Sequence, residues 1–401
     1  MVEEHHGWQS PPMAIGIQTG CCMKPQTLFR YCAAALVMLA SAAASAQVTR
    51  AERADVHGLT DASAREVATL IAQPGFATAV TGTLADRPER GVALSAVMAR
   101  FDPGARTQAA RTLAAQDRQL RQRKGLPADG ADLLQVRAYV PAGRRLADLP
   151  ASQLWVAVLP RGDDRHWTAL TAYDAQGRSH VLDARIAPTF PVLIVDIDTR
   201  RAVQEGMAVV NAGLQARGLQ SPDRIRVAAD GTASLDLTRL DRIRLADDQE
   251  PWALGGAEVF AVVSGLQIGA AEPEMATVTL PWLDHDNTDY TPGQPLVIWG
   301  NYRFDAANVQ FFEDDGDTNY QALLIALTDG VKAALGVFVP EYAVVADIAG
   351  AILKAMPTSW FANDTDYLDS LYLLRRGENY PDRMGAANNA KVTLSAVTLT
   401  E

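Results

Sequence analysis

All three cysteines of this 401-residue chain, Cys21, Cys22 and Cys32, lie ahead of Gln47. Nothing after that point can be stapled by a disulfide, hold a metal through cysteine or attack through a thiol. The remainder must hold itself together by burying apolar surface, and with 48% apolar and 21% charged residues it has the composition to do so. A length of 401 residues predicts two or three domains, each large enough for its own core.

Met23 opens a short basic stretch with Lys24 and Arg30, followed by the apolar run Tyr31 to Ala44 and the small residues Ala44, Ser45 and Ala46. That order is the pattern of a secretory signal peptide over 23–46, cut before Gln47. The run is shorter than the roughly 20 residues of a spanning helix, so a permanent anchor is disfavoured. Cys32 follows Arg30 and Tyr31 rather than a small-residue lipobox, which argues against lipidation. Residues 1–22 precede the pattern and read as a start assigned too far upstream. The expected location is secreted or periplasmic, and export without disulfides fits a bacterial periplasm or exterior.

Forty-seven acidic against 36 basic residues give a net charge of −11. Such a surface repels phosphate backbones, and no basic stripe offsets it, so nucleic acid is excluded as a general partner. Arg106, Arg111, Arg118, Arg121, Arg123 and Lys124 make one helix basic, which reads as a solvated face in preference to a contact for an anionic partner.

The expected fold is α+β, with a helical then mixed domain over 47–222 and a β-sandwich over 223–401. Ala62 to Gln73 and Ala105 to Lys124 read as helices. Short β-type runs follow at Leu134 to Val140, Leu154 to Leu159, Trp167 to Tyr173, His180 to Asp183 and Val192 to Ile197. Val203, Met207, Val210 and Leu214 then recur at helical spacing. Beyond Ile225 strands are expected at Ala257 to Val263, Thr277 to Leu283, Pro295 to Trp299, Val309 to Phe312, Leu371 to Leu374 and Val392 to Leu399. A helical hairpin over 320–356 interrupts them, its halves meeting near Gly336 and Pro340. Asp329, Lys332, Asp347 and Lys354 make packing on the sandwich the better reading than a membrane span, leaving surface contact with a membrane as a weak alternative.

Motifs of catalysis are sparse. The chain after Gln47 has no HExxH, GxSxG, GxxxxGK[ST] or GxGxxG, and His57, His166, His180 and His285 lack ligand spacing. Asp196 and Asp198 end a strand just before a helix, where open α/β sheets place ligands, but no Gly-rich loop accompanies them.

Acidic loops give the strongest lead. Asp247, Asp248 and Glu250 precede one expected strand; Asp284, Asp286 and Asp289 follow another; Glu313, Asp314, Asp315 and Asp317 close a third; Asp364, Asp366 and Asp369 open the one after the hairpin. If successive strands run up and down through a sandwich, all four clusters fall at one end. Convergent carboxylates repel one another and favour a hard cation, and calcium is the usual one outside the cytoplasm. The expected ligands are Asp284, Asp286, Asp315, Asp317, Asp364 and Asp366, with Asp289, Asp314 and Asp369 as alternates. An EF-hand is not the model, because Tyr320 stands where the loop needs Gly and Ala326 where it needs Glu. Acidic loops that merely keep an exported protein soluble are the plain alternative.

The stretch Leu240 to Leu399 resembles an uncharacterised family of exported bacterial proteins, a domain of unknown function, through "DDQEPWALGGAEVFAVVSG", "LDHDNTDYTPGQPLVIWGNYR", "FFEDDGDTNY", "MPTSWFANDTDYLDSLYLL" and "MGAANNAKVTL". The resemblance extends more weakly over the N-terminal half, including "PVLIVDIDTR", and implies no activity. More distantly, Glu313 to Asp317 and Asn363-Asp364 with Tyr367-Leu368 are similar to the two halves of a calcium-binding C2 domain. Both hairpin helices lie between those halves, and no Gly follows Leu368, which departs from that family's pattern.

The sequence thus points to an exported, non-enzymatic protein whose C-terminal β-sandwich binds calcium. The alternative is a hydrolase with its site in the N-terminal α+β region or between the domains, with His166 or His180 as zinc ligands.

Overall fold

Apolar spacing builds the first layer. The computed structural model describes residues 56–400 apart from 86–87, 103, 105–106, 147–149, 162–166, 224–225, 228–230, 248–251, 255, 269–271, 315, 335–340 and 357–366. The chain ahead of residue 56, with the expected signal peptide, lies outside the described residues. Helices α1 (56–71), α2 (Phe76–Thr83), α3 (Leu94–Phe101) and α4 (Gln108–Arg123) come first. Ala64, Val67, Ala68 and Ile71 recur three or four apart on α1 and are buried, giving it one apolar face. Thr107 caps α4 by accepting a hydrogen bond from the Ala110 N–H.

Strands β1 (Val92–Ala93), β2 (Leu134–Tyr139), β3 (Trp155–Val158), β4 (Ala169–Tyr173), β5 (Ser179–Asp183) and β6 (Val192–Ile197) form a sheet in the order β1-β2-β6-β3-β4-β5. Only the β3–β6 pairing among them is parallel; the others are antiparallel. Side chains alternate across this sheet as the pleat requires. Val136, Ala138, Leu193 and Val195 face the helices, whereas Ala157, Leu170, Ala172 and Ile194 enter a smaller core with Trp167 and Ala253. After β6 comes α5 (Thr199–Ala216), capped by Asp198, whose carboxylate accepts the Arg201 N–H at 3.0 Å.

The later strands are β7 (Arg226–Val227), β8 (Ala233–Leu245), β9 (Val259–Gln267), β10 (Pro273–Thr279), β11 (Gln294–Ile298), β12 (Tyr302–Glu313), β13 (Tyr367–Arg375), β14 (Tyr380–Met384) and β15 (Ala390–Thr400). They make two antiparallel sheets, β10-β9-β12-β13 and β11-β8-β15-β14, with β7 paired to β8. Val259, Ala261, Val309 and Phe311 from the first sheet and Leu240, Ile243, Val392 and Leu394 from the second fill the core between them. This is the expected β-sandwich. The insertion is also as expected, with α6 (Tyr320–Ala334) and α7 (Glu341–Ala355) between β12 and β13.

Phe260, Val262, Met275 and Phe312, on the outer face of the first sandwich sheet, join Val203, Met207 and Val210 of α5, Leu323 and Leu327 of α6 and Ile348 of α7 in the same core as the N-terminal helices. One sandwich sheet is therefore covered on both faces, which explains why β9 is buried along nearly its whole length. Three details depart from the sequence reading. Strand β8 has no counterpart among the expected strands, β12 begins at Tyr302 instead of Val309, and β14 falls between the expected strands Leu371 to Leu374 and Val392 to Leu399.

Candidate functional site

The C-terminal end of β6 points at one end of the sandwich, and a cavity of about 580 Å³ lies between them. That volume suits a small organic molecule better than a bare ion. Two glycines set the approach. A Cβ on Gly256 would fall 2.7 Å from Cβ of Asp284, and one on Gly316, whose φ is +82°, would fall 2.9 Å from Cγ2 of Thr199. Without side chains there, the loop before β9 closes on the β10–β11 loop, and the loop after β12 closes on the start of α5.

The wall from the N-terminal sheet carries Arg90, Arg137, Arg161 and Arg200, together with Glu89, Asp196 and Asp198. The sandwich wall carries Glu258, Asp284, Asp314 and Asp317, and among its described residues no Lys or Arg lines the cavity. Asp196 sits on β6 with Arg137 on the neighbouring β2, whose Nε lies 2.5 Å from its Oδ2. Arg137 also donates to the carbonyl of Ala253. The residue is 6% exposed, and Oδ1 has no hydrogen-bond partner. Gln135, beside it, directs its amide to the carbonyl of Ile197 at 3.1 Å. Burial pushes the Asp196 carboxyl above its ordinary value, and the guanidinium of Arg137 opposes that shift.

Glu258 is half-buried. Burial pushes its carboxyl up to about 8; a hydrogen bond from Thr199 opposes the shift, and the neighbouring charge of Asp314 adds to it. Asp314 is committed to the fold. Its Oδ1 accepts the Gly316 N–H at 2.9 Å and lies 3.9 Å from Nζ of Lys124, and its Oδ2 accepts the Tyr320 hydroxyl. Lys124 is itself fully buried and donates to the Gly316 carbonyl at 3.0 Å, which ties the C-terminus of α4 to this loop. Burial and the nearby Arg161 push His57 below its ordinary value, so the imidazole on this rim is neutral near pH 7.

The residues expected to hold calcium are divided. Asp284 and Asp317, from different loops, line this cavity together. Asp284 is engaged through Oδ1 by the Tyr290 hydroxyl at 2.7 Å, and its Oδ2 lies 3.4 Å from Arg200. Asp286 and Asp289 are exposed on the same β10–β11 loop and do not line the cavity. Asp315, Asp364 and Asp366 lie outside the described residues. Asp369 is fully buried and spends both oxygens on the N–H groups of Ser370, Ala387, Asn389 and Ala390, at 2.7 to 2.9 Å. Among the described residues, no group of three or more His, Cys, Asp or Glu has a metal-holding arrangement.

Of the histidines considered for zinc, His166 lies outside the described residues. His180 stacks on Trp155 at 4.1 Å and lies 2.9 Å from Oδ2 of Asp174, within the β4–β5 hairpin. Sequence reasoning noticed Asp196 and Asp198 but missed Glu258 and the arginines. The strand-to-helix junction was the available signal for the first pair. Glu258 had none, because a single acid before an apolar strand is unremarkable until burial changes its protonation.

Fold and cavity together define an α+β protein with a ligand-sized cleft between a mixed sheet and the loop end of a β-sandwich. Among the described residues no helix is long and apolar enough to cross a membrane. The chain belongs to the family described as "Protein of unknown function (DUF3103)", whose model matches residues 64–401. No curated protein and no solved structure matches the chain.

Proposed function

We propose that this protein is a hydrolase acting on a small polar molecule bound in the cavity at the end of β6, with Glu258 as the proton-exchanging group. The observation that carries this reading is a ligand-sized cavity walled by the buried Asp196, with one oxygen unpartnered, beside Glu258, whose carboxyl keeps its proton near neutral pH. A protonated carboxyl there can donate to the leaving group, and as a carboxylate it can take a proton from attacking water. Ester, amide, glycoside and phosphoester substrates, assayed against wild type and Glu258→Gln, test the reading. Turnover should fall at least a hundredfold in the variant and decline above about pH 8 in wild type. Equal turnover in both proteins on every substrate that wild type cleaves would refute it.

A second reading is calcium binding at the loop end of the sandwich. It is favoured by Asp284 and Asp317 reaching one cavity from separate loops. At a free concentration one hundred times the dissociation constant, one site stabilises the fold by about 2.7 kcal/mol. Millimolar calcium should therefore raise Tm, and Asp317→Asn should reduce the rise. A shift no larger than that from sodium chloride of equal ionic strength rules this reading out. On either reading the protein is exported and begins at Gln47, supported by the small residues after the apolar run. Intact mass of the protein recovered from periplasm or medium checks the cut.

A further inference from the structure

The edges of the three sheets are not treated alike. Along β10 the Asn211 side chain of α5 caps the backbone of Thr277, donating to its carbonyl at 3.2 Å and accepting its N–H at 2.9 Å. Pro295 in β11 and Pro381 in β14 interrupt those edge strands, each at a register shift. Arg383 and Ala386 donate to the carbonyls of Tyr372 and Ser370 on β13, and β1 is only two residues long. Devices of these kinds keep a sheet from pairing with another chain. Strand β5, the other edge of the N-terminal sheet, has no proline, no bulge and an unbroken register against β4. The Asp174 N–H donates to the Arg178 carbonyl and the Ala184 N–H to that of Thr168, which fixes the bonded pairs at the even-numbered residues of β5. The N–H and C=O groups of Ser179, Val181 and Asp183 therefore point away from β4, and no described residue bonds to them. At 77% and 70% exposure, Val181 and Ile186, just beyond the strand, are also the most exposed large apolar side chains among the described residues.

We infer that β5 is the contact of a homodimer, in which a second copy of the chain adds its own β5 antiparallel across a two-fold axis at Val181. In that register Val181 meets the partner's Val181, and at either side Ser179 of one copy meets Asp183 of the other, with two backbone hydrogen bonds at each pair. The strand is complementary to itself there. The two Val181 side chains cover each other beside Thr171, which is exposed on the same face. Each Asp183 carboxylate reaches the hydroxyl of the partner's Ser179; its Oδ1 already accepts the Arg185 and Ile186 N–H groups, so Oδ2 takes the new bond. Moving the axis to Asp183 would set two carboxylates face to face, and moving it to Ser179 would run the pairing into the turn at Gly177, whose φ is +75°. A second copy is thus the occupant that the polar groups of the strand fit. One five-residue strand gives a contact at the small end of specific interfaces, so the dimer is reversible.

Sedimentation velocity of the full-length protein over a concentration series, with hydrogen exchange followed by mass spectrometry on the same samples, tests the inference. A dimer should build up as the concentration rises toward about 100 µM, and exchange across 178–184 should slow in step with it. Val181→Asp, at a side chain exposed in the single chain, should weaken association at least about tenfold. Ser179→Glu, which faces Asp183 of the other copy, should weaken it as well, whereas Ser179→Lys should tighten it. That gain cannot come from a variant that has failed to fold. A protein that stays monomeric throughout overturns the inference, whether 178–184 exchanges fast or is already protected by another segment of the same chain. A dimer that survives Val181→Asp also overturns it, because its contact lies elsewhere, as does slowing at 178–184 only when a different protein is added.

Discussion

A carboxyl held at about 8 in the fold, against an ordinary 4.5, binds its proton more tightly in the folded than in the unfolded chain. Between those two values the unfolded state sheds the proton and the folded state keeps it, so Glu258 lowers stability progressively as pH rises and no further above about 8. Glu258→Gln removes this dependence. The Tm of the variant relative to wild type should rise from pH 5 to pH 9, and a constant difference would mean that Glu258 is ionised throughout. The effect is moderated because the side chain is only half-buried. Asp369 has the opposite character, a carboxylate fixed by backbone donors on both oxygens. Asp369→Ala leaves those N–H groups without acceptors and should cost about 3 kcal/mol or more in urea denaturation. Asp369→Asn should cost nearly as much, because its NH₂ would face N–H donors.

Helix α5 shows how the elements are fitted. At Gly206 an added Cβ would collide with the ring of Tyr320, and at Gly213 with the side chain of Leu324, so α6 lies almost on the α5 backbone. Ala is favoured over Gly within a helix by about 1 kcal/mol, but overpacking costs about 1–3 kcal/mol. Gly206→Ala should therefore destabilise. Gly350, in α7, has nothing within 4 Å of an added Cβ, so Gly350→Ala should stabilise by up to about 1 kcal/mol. A reversal of these two signs in denaturant titrations would contradict the packing described. Strand β8 illustrates what a sequence pattern conceals. Asp236, Arg239, Asp241, Arg242 and Arg244 dominate it, and its buried apolar residues Leu237, Leu240, Ile243 and Leu245 are not spaced by a strict two. Register shifts against both β11 and β15 absorb the mismatch, and bulges of this kind erase the alternation by which strands are recognised.

At the scale of the molecule, one apolar core runs from the N-terminal helices through α5, α6 and α7 to the outer face of a sandwich sheet. The fragment 223–401 alone would lose α5, which packs on α6 and β10, and would expose Leu324 of α6 and Met275 of β10. That fragment should be insoluble or bind a dye specific for exposed apolar surface, and residues 47–401 should unfold in one transition by both tryptophan fluorescence and far-ultraviolet circular dichroism. Two resolved transitions would show that the shared core does not couple the halves.

What the sequence by itself determined is local. Residue periodicity was enough for the β6–α5 junction, the paired helices of the insertion and the alternating strand β15, because propensity and spacing act within a few residues. Regular up-and-down alternation was also enough to group the loops at 284–289 and 313–317 at one end of the sandwich. The site itself was decided by tertiary structure. Asp196 and Glu258 are 62 positions apart, and the arginines that face them lie on β2, near β3, in the turn before β1 and on α5. Their meeting depends on which sheet face the helices cover and on close approaches at Gly256 and Gly316, and the raised proton affinity of Glu258 depends on the burial that follows. Long-range packing and desolvation leave no periodic trace in a chain, so neither the cavity nor its opposed walls was legible before the fold.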